Sequence, residues 1–399
     1  MFVMNRIYAW IGWLACLTMW LPSSRIQAQL NVEWTHYSAE EGLSQNAVMD
    51  MLQDHRGLMW LATWDGVNSF DGYNFKQYKT ASDSIPGLSN NRIEKIIEDA
   101  AGRIWMRTYD SRAYVLDVEH DALWPVAMDG VERMVGMPDS TIWLLADVGG
   151  AKWTLEQGSR QPIKSLQIDE RIHDVVADGK GCEWLLTDSG VYKLQGTGEE
   201  KLKQVMAQVM THVAPFKQGM ALTDGLVMWM MNCDNGEQRR VALPESCLIQ
   251  ELKCLGDERL LLVTRNRGLM LYDALGDEWR QLAQDMPIKR AVEGCYVDKR
   301  GRVWIDQHVP GVVTCVDLLS GKTQVLKMQV EEGATDDSYP RFCVLEDALG
   351  QLWVHPYGGG MGRWNENEQR LVPLDEISGM AEAKVSNKLH AAYADRQGN

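Results

Sequence analysis

Two stretches decide the fold: "GLSQNAVMDMLQDHRGLMWLATWDG", Gly42 to Gly66, and "GLSNNRIEKIIEDAAGRIWMRTYDS", Gly87 to Ser111. Laid over one another at an offset of 45, they match at Gly42/Gly87, Asn46/Asn91, Asp54/Asp99, Gly57/Gly102, Trp60/Trp105 and Thr63/Thr108. Self-similarity of this kind governs what is read afterwards, because a repeat fixes the architecture before any single motif does. The kernel is Asp-x-x-Gly-x-x-Trp. It returns as Asp178-Gly181-Trp184, Asp298-Gly301-Trp304 and Asp347-Gly350-Trp353. A degraded copy, "MPDSTIWLLADVGG", puts Trp143 in the same slot, and weaker units carry Met220 and Leu261 there. The slots fall at 60, 105, 143, 184, 220, 261, 304 and 353, spaced 36 to 49 residues apart.

Each unit reads as strands. "AVMDMLQD" or "RIEKIIED" precedes the kernel turn, "LMWLAT" or "RIWMRT" follows it, and segments such as "VNSFD" and "FKQYK" supply a third and a fourth strand. The kernel Asp can cap backbone N–H groups two residues on, and Gly supplies the positive φ of a tight hairpin. The Trp then projects from the second strand into the space between adjacent sheets, where its area dominates packing. Four short antiparallel strands repeated at this spacing predict an all-β protein, a β-propeller of four-stranded blades. Helical solenoids repeat at similar lengths, but no unit shows the period-3.6 apolar face they need.

The combination of "GLSQNAV", "QD" before Gly57, "MWLAT" and "FDG" resembles the two-component regulator propeller repeat. The resemblance is tight for the units at Trp60, Trp105, Trp304 and Trp353, and loose over 131–285. It implies the periplasmic sensor of a hybrid two-component system in glycan-degrading bacteria. Such proteins carry two seven-bladed propellers, an immunoglobulin-like domain, a membrane helix, a histidine kinase, a receiver and a DNA-binding output. On that pattern the slots from 60 to 304 complete one seven-bladed propeller within residues 29–330, and the Trp353 unit opens a second within 331–399. Asn31 to Ser44 is expected to supply an outer strand that pairs with the last blade and closes the ring, since closure removes sheet edges. Near the end, Asn387, Asp395 and Gly398 repeat the pattern of Asn46, Asp54 and Gly57. The chain is therefore expected to stop inside the first hairpin of a further blade, as the front part of a longer receptor.

Residues 1–28 read as a signal peptide: Arg6, then the apolar run Ile7 to Leu21, then a cleavage site after Ala28 with Ile26 two places before it. The expectation is export to the periplasm, with full-length relatives anchored in the inner membrane. Removing this segment takes away Arg6 and Arg25 and no acid, moving the formal charge from −15 to −17. That balance argues against nucleic acid or an anionic membrane surface as a partner. The remaining cysteines, at 182, 233, 247, 254, 295, 315 and 343, are odd in number and contain no C-x-x-C, so they imply neither zinc nor a disulfide framework. Buried thiols are the expectation, with a bridge among Cys233, Cys247 and Cys254 left open.

Catalytic spacing is thin. The eight histidines form no H-x-x-x-H or H-x-H, so no metal site is expected, and "YGGGMG" from Tyr357 reads as a hairpin loop without the helix a phosphate would need. No cofactor is implied. A sugar sensor would instead use aromatic platforms and planar polar groups. The loop after the second strand and the loop leading into the first emerge on one propeller face. The former offers Trp64 and Asp65, then Tyr109, Asp110 and Arg112, then Asp188. Arg265 and Arg267, His308 and Tyr357 follow in later units. These are the candidate ligand residues, whereas Asp54, Gly57, Trp60, Asp99, Gly102, Trp105, Trp143, Trp184, Trp304 and Trp353 are structural. The expected partners are an oligosaccharide, a second propeller and a membrane-anchored kinase, with a homodimer compatible. This chain itself is read as a sensor and not an enzyme. The alternative is a secreted propeller hydrolase or lyase, since one fold hosts many chemistries.

Overall fold

The computed structural model describes residues 35–80, 87–154, 163–178, 180–195, 201–216, 219–245, 247–256, 258–283, 295–306, 309, 311–327, 342–355 and 361–364. The signal-peptide expectation and the expected hairpin at Asp395 and Gly398 lie outside these residues. Among them the chain forms eight four-stranded antiparallel sheets, the blades of a propeller. Blade 1 is Val48–Gln53, Met59–Thr63, Gly66–Phe70 and Phe75–Tyr78, and blade 2 is Ile93–Glu98, Ile104–Thr108, Ala113–Asp117 and Ala122–Pro125. Blades 3 and 4 begin with Val131–Gly136 and Ile172–Ala177, and blades 5 and 6 with His212–Phe216 and Ile249–Leu255. Blade 7 begins with Cys295–Val297. Blade 8 combines Cys343–Glu346, Leu352–His355 and Met361–Trp364 with Thr35–Tyr37 from the other end of the chain.

The kernel does more than the capping its sequence promises. In blades 1, 2, 4, 7 and 8 the Asp Oδ1 accepts the backbone N–H groups two and four residues on, at 2.8–3.0 Å. Its Oδ2 accepts the indole Nε1–H of the slot tryptophan at 2.9–3.0 Å. The glycine between them sits at φ between 73 and 91°, which an L side chain rarely adopts. Burial alone would raise the Asp54 carboxyl, but hydrogen bonds from Trp60, Arg56 and Leu58 hold it below the usual range. Asp178 behaves alike, its burial outweighed first by the Trp184 bond.

Blade 3 solves the same problem with borrowed parts. Met137 stands where the kernel Asp belongs, its N–H donates to Thr141 O at 2.9 Å, and Ser140 takes the glycine place at φ 68°. The Trp143 indole donates to Glu183 Oε2 of blade 4 at 3.0 Å, and Lys152 Nζ lies 3.1 Å from Glu183 Oε1. In blades 5 and 6 the slots hold Met220 and Leu261, both fully buried. The cysteines of the described residues are all free thiols, with Cys247, Cys295 and Cys315 buried.

Neighbouring blades are tied by a second recurring bond. The residue after the kernel Asp donates its N–H to the side chain of the residue before the next blade's kernel Asp. His55 N reaches Glu98 at 3.0 Å, Lys299 N reaches Glu346 at 2.8 Å, and Ala348 N reaches Gln53 at 2.7 Å. The last of these runs from blade 8 to blade 1. Between the same two blades Trp353 and Met361 pack in one core with Met59, Leu61 and Phe70. The sequence reading counted seven blades and gave the Trp353 unit to a second propeller. The described residues put that unit in the same ring, as its eighth blade. Spacing counts units, but closure is set by where the N-terminal strand pairs: Thr35 opposes Arg363, His36 opposes Gly362 and Tyr37 opposes Met361. The Tyr37 ring then lies 5.0 Å from Phe70 and 5.7 Å from Trp353, bridging blades 1 and 8.

Because the folded carboxyls of Asp54 and Asp178 are depressed, they stabilise the ring above their unfolded pKa of about 3.9. That stability is lost as pH falls through the lower folded values. The double variant Asp54→Asn/Asp178→Asn is expected to be less stable at pH 7, and its urea midpoint to fall less than the wild type's between about pH 5 and 3. Parallel midpoint curves would sink this account. Separately, Glu183→Leu strands the buried Trp143 indole and leaves Lys152 with Asp139 alone, at 3.2 Å, and is expected to cost about 1–3 kcal/mol. Adding Met137→Asp should recover part of that loss in the same denaturation assay, by restoring the kernel acceptor within blade 3.

Candidate functional site

The turns between second and third strands lie at one end of the blades, here called the upper face. Backbone bonds fix them there: Tyr109 N donates to Arg92 O at 2.9 Å, Arg265 N to Leu248 O at 2.9 Å, and Asp188 N to Arg171 O at 3.3 Å. Each turn therefore sits beside the segment leading into its own blade's first strand. A threonine ends the second strand in five blades, and its hydroxyl donates across the turn to Gly66, Arg112, Gly190, Val227 or Gly268 O. The turn shape is set by this buried hydroxyl, and the candidate side chains project from the residues after it.

Several of those candidates are engaged by neighbouring segments of the protein. Asp65 accepts from Lys79 Nζ at 2.8 Å and from Asn91 Nδ2 at 3.2 Å, linking blade 1 to the segment entering blade 2. Asp110 accepts from Ser89 Oγ at 2.6 Å, and Arg112 Nε lies 3.9 Å from Asp129. Burial would raise the Asp110 carboxyl, but its bonds to Ser89 and Thr108 bring it below the ordinary value. Trp64 and Tyr109 are brought together by a residue the sequence reading did not select. The Arg92 guanidinium lies 4.5 Å from the Trp64 ring and 4.0 Å from the Tyr109 ring. Tyr109 remains 56% exposed, so this three-membered stack ends on an open aromatic face. Arg265 and Arg267 sit on blade 6, apart from the stack. His308 and Tyr357 lie outside the described residues.

Asp188 leads inward. Its Oδ1 lies 2.8 Å from His173 Nε2, and His173 lines a cavity of about 790 Å³ bounded by the innermost strands. The residues that give this channel its charge come from a repeated irregularity. The first strand of blades 1, 2, 3, 4 and 6 carries a β-bulge at its second residue pair, next to Asp50, Lys95, Arg133, Asp174 and Glu251. A bulge re-aims side chains that strict alternation would send elsewhere. Ion pairs follow around the channel: Lys95 Nζ to Asp50 at 2.8 Å, Arg133 to Asp174 at 2.8 Å, and Lys253 Nζ to Glu251 at 2.9 Å. The first two cross from one blade to the next.

The lining has two sides. Arg133, His173, Asp174, Thr211, His212 and Glu251 make a polar arc on blades 3 to 6, while Tyr296, Phe342, Val344 and Met51 make an apolar arc on blades 7, 8 and 1. Burial pulls the His212 imidazole below its ordinary value, so it is neutral at pH 7. Burial likewise pushes the Cys295 thiol up to about 12, which leaves it un-ionised. Sequence reasoning missed this channel. The available signal was an apolar residue followed by two polar ones and another apolar one, as in "IEKI", "VERM", "IHDV" and "IQEL", with "VMDM" keeping only the second polar place.

The family model for the two-component regulator propeller matches residues 42–65. A curated relative, histidine kinase P4 of Formosa agariphila, is 43% identical over 49 residues, which is 12% of this chain and 4% of that protein. Among solved structures, the extracellular domain of a protein assigned to the hybrid two-component systems of B. thetaiotaomicron superposes with a TM-score of 0.51 at 15% identity. That alignment covers 84% of this chain and 42% of that one, so the chain spans less than half of the solved domain. The computationally designed protein Ika8 superposes with a TM-score of 0.58 at 11% identity, over 80% of this chain and 96% of that one. At such identities the structural likenesses speak for the propeller fold alone. With eight four-stranded blades around one ring, this chain is a propeller protein in which residues 42–65 match the two-component regulator propeller repeat.

Proposed function

We propose that this chain is the ligand-sensing part of an exported receptor. It binds an oligosaccharide and passes the signal to a histidine kinase encoded with it. The observation that carries the reading is the regulator propeller repeat at residues 42–65, in a chain whose blades surround a channel lined by polar groups. The curated relative named as a histidine kinase and the solved extracellular domain from a hybrid two-component system support the same direction. The apolar run of Ile7 to Leu21 and the site after Ala28 support export. A net charge of −15 favours a neutral or cationic partner over nucleic acid. The second propeller and the membrane anchor belong to the same proposal.

Sensing and catalysis separate in one experiment. Purified chain is mixed with oligosaccharide pools from enzymatic digests of plant and host polysaccharides, and melting and composition are followed together. A ligand held at about 100-fold over its dissociation constant adds about 2.7 kcal/mol of stability. A raised melting temperature with an unchanged oligosaccharide profile is the expected result. Depletion of the oligosaccharide, with new chain ends, would replace the sensor by a hydrolase or lyase. The export element predicts a mature N-terminus at Gln29, checked by N-terminal sequencing of the protein from a periplasmic extract.

A further inference from the structure

We infer that the interior channel is the ligand subsite of this receptor, and that it is built for an uncharged oligosaccharide and not for a uronic or sulfated one. The inference rests on the sensing reading above and narrows it to one place and one class of glycan. The cavity of about 790 Å³ falls within the range of roughly 300–1,000 Å³ typical of ligand sites. Its two arcs suit a pyranose, whose C–H face is apolar and whose edge carries hydroxyls. Tyr296 and Phe342 supply the apolar side, and the groups of blades 3 to 6 supply donors and acceptors.

Charge balance decides between glycan classes. Three acids, Asp50, Asp174 and Glu251, line the channel with one arginine, Arg133, and each acid is paired within 2.9 Å, with Lys95, Arg133 and Lys253 respectively. A hydroxyl both donates and accepts, so it can join such a pair without unbalancing it. Among the described residues of the lining, a carboxylate or sulfate meets no unpaired lysine or arginine. It would have to draw Arg133 away from Asp174, leaving that carboxylate uncompensated beside the newcomer. The two histidines do not alter this balance: His212 is held neutral by burial, and His173 already faces Asp188 at 2.8 Å. Arg133, the described arginine of the lining, is thus committed to Asp174.

Two variants place the site. Gln250 is exposed and lines the channel, so Gln250→Trp narrows it without entering the packed core. Tyr109→Ala removes the open end of the upper-face stack and leaves the channel unchanged. Binding of the full chain is measured by calorimetry. The probes are neutral tri- and tetrasaccharides of gluco-, manno-, galacto- and xylo-configuration, beside oligogalacturonates and sulfated chondroitin oligosaccharides. The expected result is binding by a neutral probe that weakens about tenfold or more in Gln250→Trp and less than about twofold in Tyr109→Ala, with both variants melting as cooperatively as the wild type. Tighter binding of the acidic probes, or loss of binding in Tyr109→Ala with none in Gln250→Trp, overturns the inference and leaves the sensing reading in place. Binding of neither class to the folded chain overturns both.

Discussion

The hydrogen bond from each slot indole to its kernel carboxylate is the constraint on which the ring depends. A carboxylate buried under a hairpin needs donors, and two backbone N–H groups leave its second oxygen unserved. The indole supplies the third donor and fills the space between sheets with the same side chain. Phenylalanine could do only the second job, which is why six of the eight slots hold Trp and none holds Phe. The exceptions obey the same rule. Blade 3 has kept the donor and lost the acceptor, so Glu183 is brought in from the next blade. Blades 5 and 6 have lost both together: Ala214 and Leu255 stand six residues before Met220 and Leu261, and all four are buried.

That pairing is why the architecture was legible in the sequence. Asp and Trp at fixed spacing are visible as letters, and all eight slots found by spacing lie on the second strand of a blade. The number of blades in the ring was not legible, because nothing inside a repeat states how many copies close. Closure rests on Thr35–Tyr37, a strand with no kernel of its own, and on Gln53 accepting from a residue almost the whole ring away in sequence. The sequence did announce that a strand before Gly42 would pair with the last blade. It could not say which blade was last.

The site was legible in position and not in chemistry. Loops after the second strand do sit on the upper face, where Trp64 and Tyr109 meet through Arg92. Acids chosen there for a ligand, Asp65 and Asp110, are instead committed to neighbouring segments. Short polar turns next to a packed ring are under pressure to satisfy backbone and side chains of the adjoining blade first. The channel charges escaped notice for a different reason. A bulge takes its residues out of the two-residue alternation by which strand faces are read, so alternation does not single out Asp50, Lys95, Arg133, Asp174 or Glu251.

The seam between the first and last segments has a consequence for the order in which this molecule can be made. Cys343 Sγ donates to the carbonyl of Met49 across 294 residues of chain, and the strand that completes blade 8 leaves the ribosome before the other described strands. Contacts so distant in sequence carry a large loop-closure cost and form late. During synthesis blade 1 therefore waits with one face uncovered, and the Thr35–Tyr37 segment waits with no sheet to join, until blade 8 emerges. A growing chain in that state exposes Met59, Leu61 and Phe70, the very residues later sealed by Trp353 and Met361. Local blades can assemble as they appear, but the ring becomes a ring in a single terminal event, and a chaperone that shields blade 1 would act on the interval before it.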